Sequence, residues 1–181
     1  THSVVQTVNT IDEANLAFDA ISYEKGLAVI RMLEGYVGED EFRQGVRDYL
    51  NARLYGNSVT ENLWSAIQAA SGQPILDIAR SFTLQPGYPI LDATAQCPAG
   101  EASAVINVSQ RRFALDEASR TNERWTIPMV AMRIGGAPQR SVLPAETQGR
   151  VQLAGACEGY ILNAGQSGFF ARVVQDSAIA R

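Results

Sequence analysis

The hydrophobic positions of this chain change their period near its midpoint. Between about residues 10 and 85, apolar residues recur every three or four positions, the spacing of one face of an α-helix. From residue 88 onward, apolar and polar residues alternate in short runs bounded by Gly, Pro, Asn or acidic residues, which is typical of β-strands. The segment LQPGYP, at 84–89, separates the two patterns and predicts a turn or hinge.

These patterns predict an α+β fold in two domains. The helical half has a capping threonine, Thr10, before its first helix, and Ser58 and Glu61 predict a capping box further on. About seven short strands follow, and that number over roughly 90 residues predicts an antiparallel β-sandwich. We place the helical domain at 1–85 and the sandwich domain at 86–181.

The helix that starts near residue 26 is expected to be buried. Leu27, Ile30, Leu33 and Val37 fall three or four positions apart, and further apolar residues flank them. This apolar surface covers most of the helix circumference, as in helices that are enclosed by their neighbours.

Composition excludes several classes of protein. The chain has 181 residues, of which 46% are hydrophobic and 19% charged, as in proteins that fold around a core. Its net charge of −4 argues against binding to nucleic acid, which usually needs a basic surface. No apolar run approaches the roughly 18 residues of a membrane span. The chain starts Thr-His-Ser without a methionine, so we expect a piece of a longer protein.

Seven segments carry a resemblance to a known family. They are FDAISYEKGLAVIRML, FRQGVRDYL, LYGNSVTENLW, LQPGYPIL, SQRRF, RWTIPM and GYILNAGQSGFFARV. In this order and spacing they resemble the zinc aminopeptidases of the aminopeptidase N type. The resemblance implies that 1–85 is the C-terminal helical part of a thermolysin-like catalytic domain and that 86–181 is the β-sandwich after it. Phe82 departs from the pattern, where the family more often has tryptophan, and we expect a difference in packing only.

The resemblance implies a catalytic role for Tyr23 in the parent enzyme. In the family, the tyrosine of Y-E-K-G points into the zinc site and donates a hydrogen bond to the oxyanion that forms there. From the residues alone, the alternative is an amphipathic core residue with its hydroxyl at the surface. We interpret the adjacent Glu24 and Lys25 as a solvated charge pair, and the alternative is that they orient the tyrosine.

The zinc ligands of the family are missing from this sequence. They come from an H-E-x-x-H helix and a later glutamate, whereas this chain has one histidine, His2, and no such motif. The G-x-M-E-N segment that grips the substrate's amino terminus in the family is also missing. We therefore expect zinc and peptide substrates for the parent aminopeptidase, no zinc bound by this chain, no hydrolysis by it alone, and a structural role for His2.

Other expectations concern redox state and assembly. Cys97 and Cys157 both fall in the predicted sandwich, so a disulfide is expected, with two buried thiols as the alternative. A disulfide would indicate export to an oxidising compartment such as the periplasm. Exposed helix faces would favour self-association. The alternatives to a peptidase fragment are a non-catalytic sandwich adaptor that binds a protein partner and an inactive homologue.

Overall fold

Helices precede strands along the chain, as the periodicity predicts. The structure, a computed structural model, describes residues 2–96, 103–154 and 159–174. Its helical elements in these ranges are α1 (Ile11–Leu16), a π-helical turn (Ile21–Lys25), α2 (Gly26–Val37), α3 (Glu39–Ala52), α4 (Thr60–Ser71), α5 (Ile75–Thr83) and two short 3-10 turns, Glu117–Ser119 and Ala164–Gln166. The strands are β1 (Pro89–Gln96), β2 (Ser103–Arg112), β3 (Ile127–Arg133), β4 (Gln139–Leu143), β5 (Gln148–Ala154), β6 (Tyr160–Ile161) and β7 (Ala171–Val174). The predicted α+β class is confirmed.

The strands form two sheets. One has the order β5-β2-β1-β7 and the other the order β4-β3-β6. Four of the described strand pairs are antiparallel, as predicted, whereas β1 and β7 run parallel, with Ile90 opposite Ala171. After β2 the chain alternates between the sheets, with β3 and β4 in the second, β5 in the first and β6 in the second, before β7 joins the open edge of β1 in parallel.

One hydrophobic core runs from the helices into both sheets. Its members come from α2, α4, α5 and the inward faces of the strands, and the largest are Met32, Leu33, Ile67, Phe82, Ile106, Trp125, Met129 and Tyr160. Phe82 on α5 is fully buried, with its ring centroid 6.4 Å from that of Trp125 and 6.2 Å from that of Phe169. The end of the helical half is therefore packed against the strands by aromatic contacts. The predicted division into two domains at residue 86 stays a prediction.

The burial of α2 follows the prediction except at one edge. Leu33 and Val37 are buried, but Leu27 is 60% exposed. An apolar stripe that nearly encircles a helix needs neighbours on every side, and the described residues leave the side of Leu27 open.

The start of α4 differs from the predicted capping box. The side-chain oxygen of Asn62 accepts the Val59 N–H at 3.0 Å, while the Ser58 hydroxyl lies 2.7 Å from the hydroxyl of Tyr49. The prediction that used Ser58 and Glu61 was wrong, because the helix begins one residue later, at Thr60, and Asn62 then stands three residues after the cap.

Candidate functional site

Tyr23 lies in the middle of the π-helical turn that leads directly into α2. Its backbone N–H donates to the carbonyl of Asp19 at 3.1 Å, and its carbonyl accepts the N–H of Gly26. The side chain is 64% exposed, and its ring contacts that of Phe18 with centroids 6.4 Å apart. A π-helical turn inserts one residue into a helix and changes the directions of the side chains around it, and such turns are frequent at functional sites. The phenol is therefore presented to solvent from a helical element.

The amino-terminal side of this turn is held by Asp19. One oxygen of its carboxylate accepts the backbone N–H of Ser22 at 2.8 Å, and the other lies 2.5 Å from Nε2 of His2. These bonds, first that from the Ser22 N–H and then that from His2, lower the pKa of Asp19. The carboxylate thus accepts a backbone N–H near the start of the turn that carries Tyr23.

His2 contacts Ser3 and Asp19, and its structural role stays a prediction. Its Nδ1 lies 2.7 Å from the carbonyl oxygen of Ser3, and its Nε2 faces Asp19. Both partners accept hydrogen bonds, and the protonated imidazole, in which both ring nitrogens donate, satisfies both contacts. The Ser3 carbonyl and then the Asp19 carboxylate raise the pKa of His2.

The carboxyl-terminal side of the turn is held by Lys25. This side chain is only 8% exposed, and its Nζ donates to the backbone carbonyl of Gln85 at 2.6 Å. Burial, and secondarily the nearby guanidinium of Arg112, lowers the pKa of Lys25 to about 8. Glu24 is exposed. The interpretation of Glu24 and Lys25 as a solvated charge pair is therefore wrong for Lys25, because a basic side chain buries its charge only where the fold supplies an acceptor.

A cavity of about 400 Å³ lies behind the turn. Its walls come from the π-helical turn, from the loop after α5 and from the segment before β7, and they include Ile21, Lys25, Tyr88 and Phe169. Tyr88 also stacks on Phe113, with centroids 5.1 Å apart. The turn that carries Tyr23 and the strand half of the chain thus line the same cavity.

Large apolar side chains near the turn are exposed. Besides Leu27, they include Ile11, Leu16 and Phe18, of which Phe18 is 72% exposed. This surface agrees with the expectation of exposed helix faces. Self-association through it stays a prediction.

The described residues contain no group of three His, Cys, Asp or Glu side chains that could hold a metal ion. The side chains in those ranges therefore supply no ligand set for a catalytic zinc. Cys97 and Cys157 lie outside the described residues, and so does the predicted disulfide. No helix in the described part of the chain is both long and apolar enough to cross a membrane.

Comparison with known proteins identifies the family. The model of the peptidase family M1 domain matches residues 1–82, which end within α5. A tricorn protease-interacting factor F2 of Thermoplasma volcanium is 34% identical over 98% of this chain, and aminopeptidase M1 of Arabidopsis thaliana is 31% identical over 99% of it. The chain belongs to the M1 peptidase family.

Only part of a typical M1 protein is present in this chain. It spans 21% of the length of each of those two relatives, and 13% of human glutamyl aminopeptidase, to which it is 33% identical over 71% of the chain. M1 peptidases are generally zinc-dependent. The chain thus corresponds to a fragment of an M1 protein, and the resemblance found in the sequence is confirmed.

Tyr23 was recognisable from the sequence, whereas the two groups that hold its turn were not. The bond from Lys25 to Gln85 joins residues 60 positions apart, and nothing in local periodicity predicts such a pairing. The sequence did contain one signal that sets Lys25 apart. It is the only lysine in a chain with 15 Lys and Arg residues. The contact between His2 and Asp19 had no comparable signal.

Proposed function

We propose that this chain supplies one wall of the catalytic site of a zinc aminopeptidase, with Tyr23 as the residue that stabilises the transition state. The observation that carries the proposal is the geometry of Tyr23. Its side chain is exposed on a π-helical turn that is held at Asp19 on one side and at Lys25 on the other. The M1 relatives named as aminopeptidases support the reaction class.

The chemistry proposed for Tyr23 is donation of one hydrogen bond. When a nucleophile attacks a peptide carbonyl, the carbonyl oxygen gains negative charge, and a donor aimed at that oxygen lowers the barrier. A tyrosine hydroxyl suits this task because it is a neutral, directed donor. A donor of this kind contributes about 3 to 4 kcal/mol when it is held in place before the reaction begins. The two bonds that hold the turn provide that fixation.

The remaining parts of the proposed site would come from outside this chain. The zinc ligands and the general base have no counterpart in its sequence, which contains a single histidine and no H-E-x-x-H. The proposed substrates are peptides with a free amino terminus. Within this arrangement the strand half supports the turn of Tyr23 through Gln85, whose backbone carbonyl accepts from Lys25 and whose side-chain amide donates to the carbonyl of Arg124.

The proposal is tested on the full-length, zinc-loaded protein that contains this segment. Hydrolysis of an aminoacyl anilide, together with rejection of the same substrate after acetylation of its amino group, is the expected result. A full-length protein that carries no H-E-x-x-H upstream of this segment and shows no turnover would instead be an inactive homologue. A reading frame that begins near Thr1 would favour the sandwich adaptor.

A further inference from the structure

We propose that Lys25 is a positioning residue for Tyr23, whose bond to the Gln85 carbonyl sets the rotation of the π-helical turn and thereby the direction of the phenol. This inference rests on the proposed function of Tyr23. It concerns a residue that does not touch the substrate and acts through its neighbour.

The two side chains project from opposite sides of the same turn. Residues two positions apart on a helical element point in nearly opposite directions. This agrees with the exposures of 64% for Tyr23 and 8% for Lys25. A fixed point on the inner side therefore limits how far the turn can rotate about its axis, and rotation is the motion that would swing the phenol away from a bound substrate.

The acceptor of Lys25 is itself fixed. The side-chain amide of Gln85 donates to the carbonyl of Ser81, on α5, at 2.8 Å, and to the carbonyl of Arg124, just before β3, at 3.0 Å. Gln85 is thus tied to both halves of the chain, and Lys25 extends that tie to the turn of Tyr23. The anchor at Asp19 bonds only to the amino-terminal side of the turn and to His2.

The surroundings of Lys25 are unfavourable for its positive charge. This indicates that Lys25 is present for a reason other than stability. Within the described ranges, no carboxylate forms an ion pair with Lys25. The guanidinium of Arg112 repels the ammonium and contributes to its lowered pKa. Replacement of buried ionic groups by apolar ones of similar size is often neutral or stabilising. Lys25 nevertheless occupies this position, and its long, thin side chain reaches a single carbonyl. Apart from His2, every other basic residue of the chain is an arginine.

A double-mutant cycle on the zinc-loaded, full-length protein tests the inference. The variants are Lys25→Met, Tyr23→Phe and the two combined, with Arg43→Met as a matched loss of an exposed cation on α3. We expect Lys25→Met to lower kcat about 10- to 100-fold with KM nearly unchanged, since small misplacement of a catalytic group has effects of that size. In the Tyr23→Phe background, the same substitution should change kcat by less than about twofold. Arg43→Met should leave kcat unchanged.

Two outcomes would overturn the positioning role. One is an unchanged kcat in Lys25→Met, and the other is an equal loss in both backgrounds, which would mean that Lys25 acts on folding or on another part of the site. Full activity of Tyr23→Phe would instead refute the proposed function of Tyr23. That result comes from a different variant than the Lys25→Met data, so the two failures can be told apart. Lys25→Arg keeps a donor at the site and should retain more of the kcat than Lys25→Met.

A measurement that does not depend on turnover tests the positioning role of Lys25 separately from the catalytic role of Tyr23. The chain has six tyrosines, and 3-fluorotyrosine labelling gives each a ¹⁹F resonance, with that of Tyr23 assigned through Tyr23→Phe. We expect Lys25→Met to shift or broaden the Tyr23 resonance while that of Tyr160, in the core, stays in place. An unchanged Tyr23 resonance in a folded Lys25→Met protein would contradict the inference whatever the activity data show.

Discussion

The ammonium of Lys25 donates a hydrogen bond of 2.6 Å to the backbone carbonyl of Gln85, 60 residues further along the chain. It joins the turn of Tyr23 to the loop between the last helix and the first strand. The turn carries the candidate catalytic group, and the side-chain amide of Gln85 ties the loop to the carbonyl of Arg124, just before β3. The strand half of this M1 segment is therefore linked, through Gln85, to the turn of Tyr23.

Burial of Lys25 predicts a rise in stability with pH. The pKa of Lys25 is lowered from 10.5 to about 8 in the folded protein. Between these values the unfolded chain holds a proton that the folded protein has released, so the free energy of unfolding rises with pH in this window. Relative to Lys25→Met, the wild-type chain should gain up to about 3 kcal/mol between pH 7 and pH 10.5 in urea unfolding.

The titration of Lys25 can be observed directly. Because it is the only lysine, selective ¹³Cε-lysine labelling gives one side-chain signal, which should titrate near pH 8. Arg43→Met serves as the control for the unfolding series, and its stability difference from wild type should not follow the same pH window. A lysine signal that titrates near 10.5 would refute the burial of this amine.

The pair of His2 and Asp19 predicts a second pH effect, of opposite sign. The pKa of His2 is raised above 6.5, so the stability that its contacts contribute is complete below that value and is lost as pH rises through the folded pKa. Asp19→Asn should move the pKa of His2 back towards 6.5, although the Ser3 carbonyl keeps part of the shift. The single histidine makes its ring resonance unambiguous in an NMR titration. An unchanged titration in Asp19→Asn would mean that the contact does not form in solution.

The helices and strands were predictable because each follows from local period. The cap at Thr10 and the stop at Gly72, with its φ of 66°, also depend on neighbouring residues alone. The parallel pairing of β1 with β7, the open side at Leu27 and the buried amine of Lys25 depend on contacts between distant parts of the chain. Tyr23 was found through the family resemblance, since its own side chain is equally consistent with an amphipathic surface residue.

The aromatic contacts of Phe82 predict how substitutions at the interface between the helices and the strands change the free energy of unfolding. Phe82→Ala should lower the free energy of unfolding by about 3 to 5 kcal/mol, because it removes a fully buried ring. Phe82→Trp, which restores the residue more frequent in the family, should cost about 1 to 3 kcal/mol unless Trp125 and Phe169 move to make room. Leu115→Ala is the control, since Leu115 is exposed and its loss should change stability by less than about 0.5 kcal/mol. A small effect of Phe82→Ala would contradict the packing described at this interface.

The isolated chain should neither bind zinc tightly nor hydrolyse peptides. The reason lies in its sequence, which has one histidine and no H-E-x-x-H. Calorimetric titration with zinc and an aminoacyl-anilide assay of the 181-residue chain provide the check. Stoichiometric tight binding or steady turnover would mean that the chain forms a metal site without the histidine pair of the family.

The central claim is that the Tyr23 hydroxyl stabilises the transition state, and Tyr23→Phe in the full-length, zinc-loaded protein tests it most directly. The substitution removes one oxygen from a side chain that is 64% exposed, so folding and zinc content should be unaffected. We predict that kcat falls about 100- to 1000-fold while KM changes little, as for the loss of one oxyanion donor. A Tyr23→Phe protein that keeps the wild-type kcat would contradict the account.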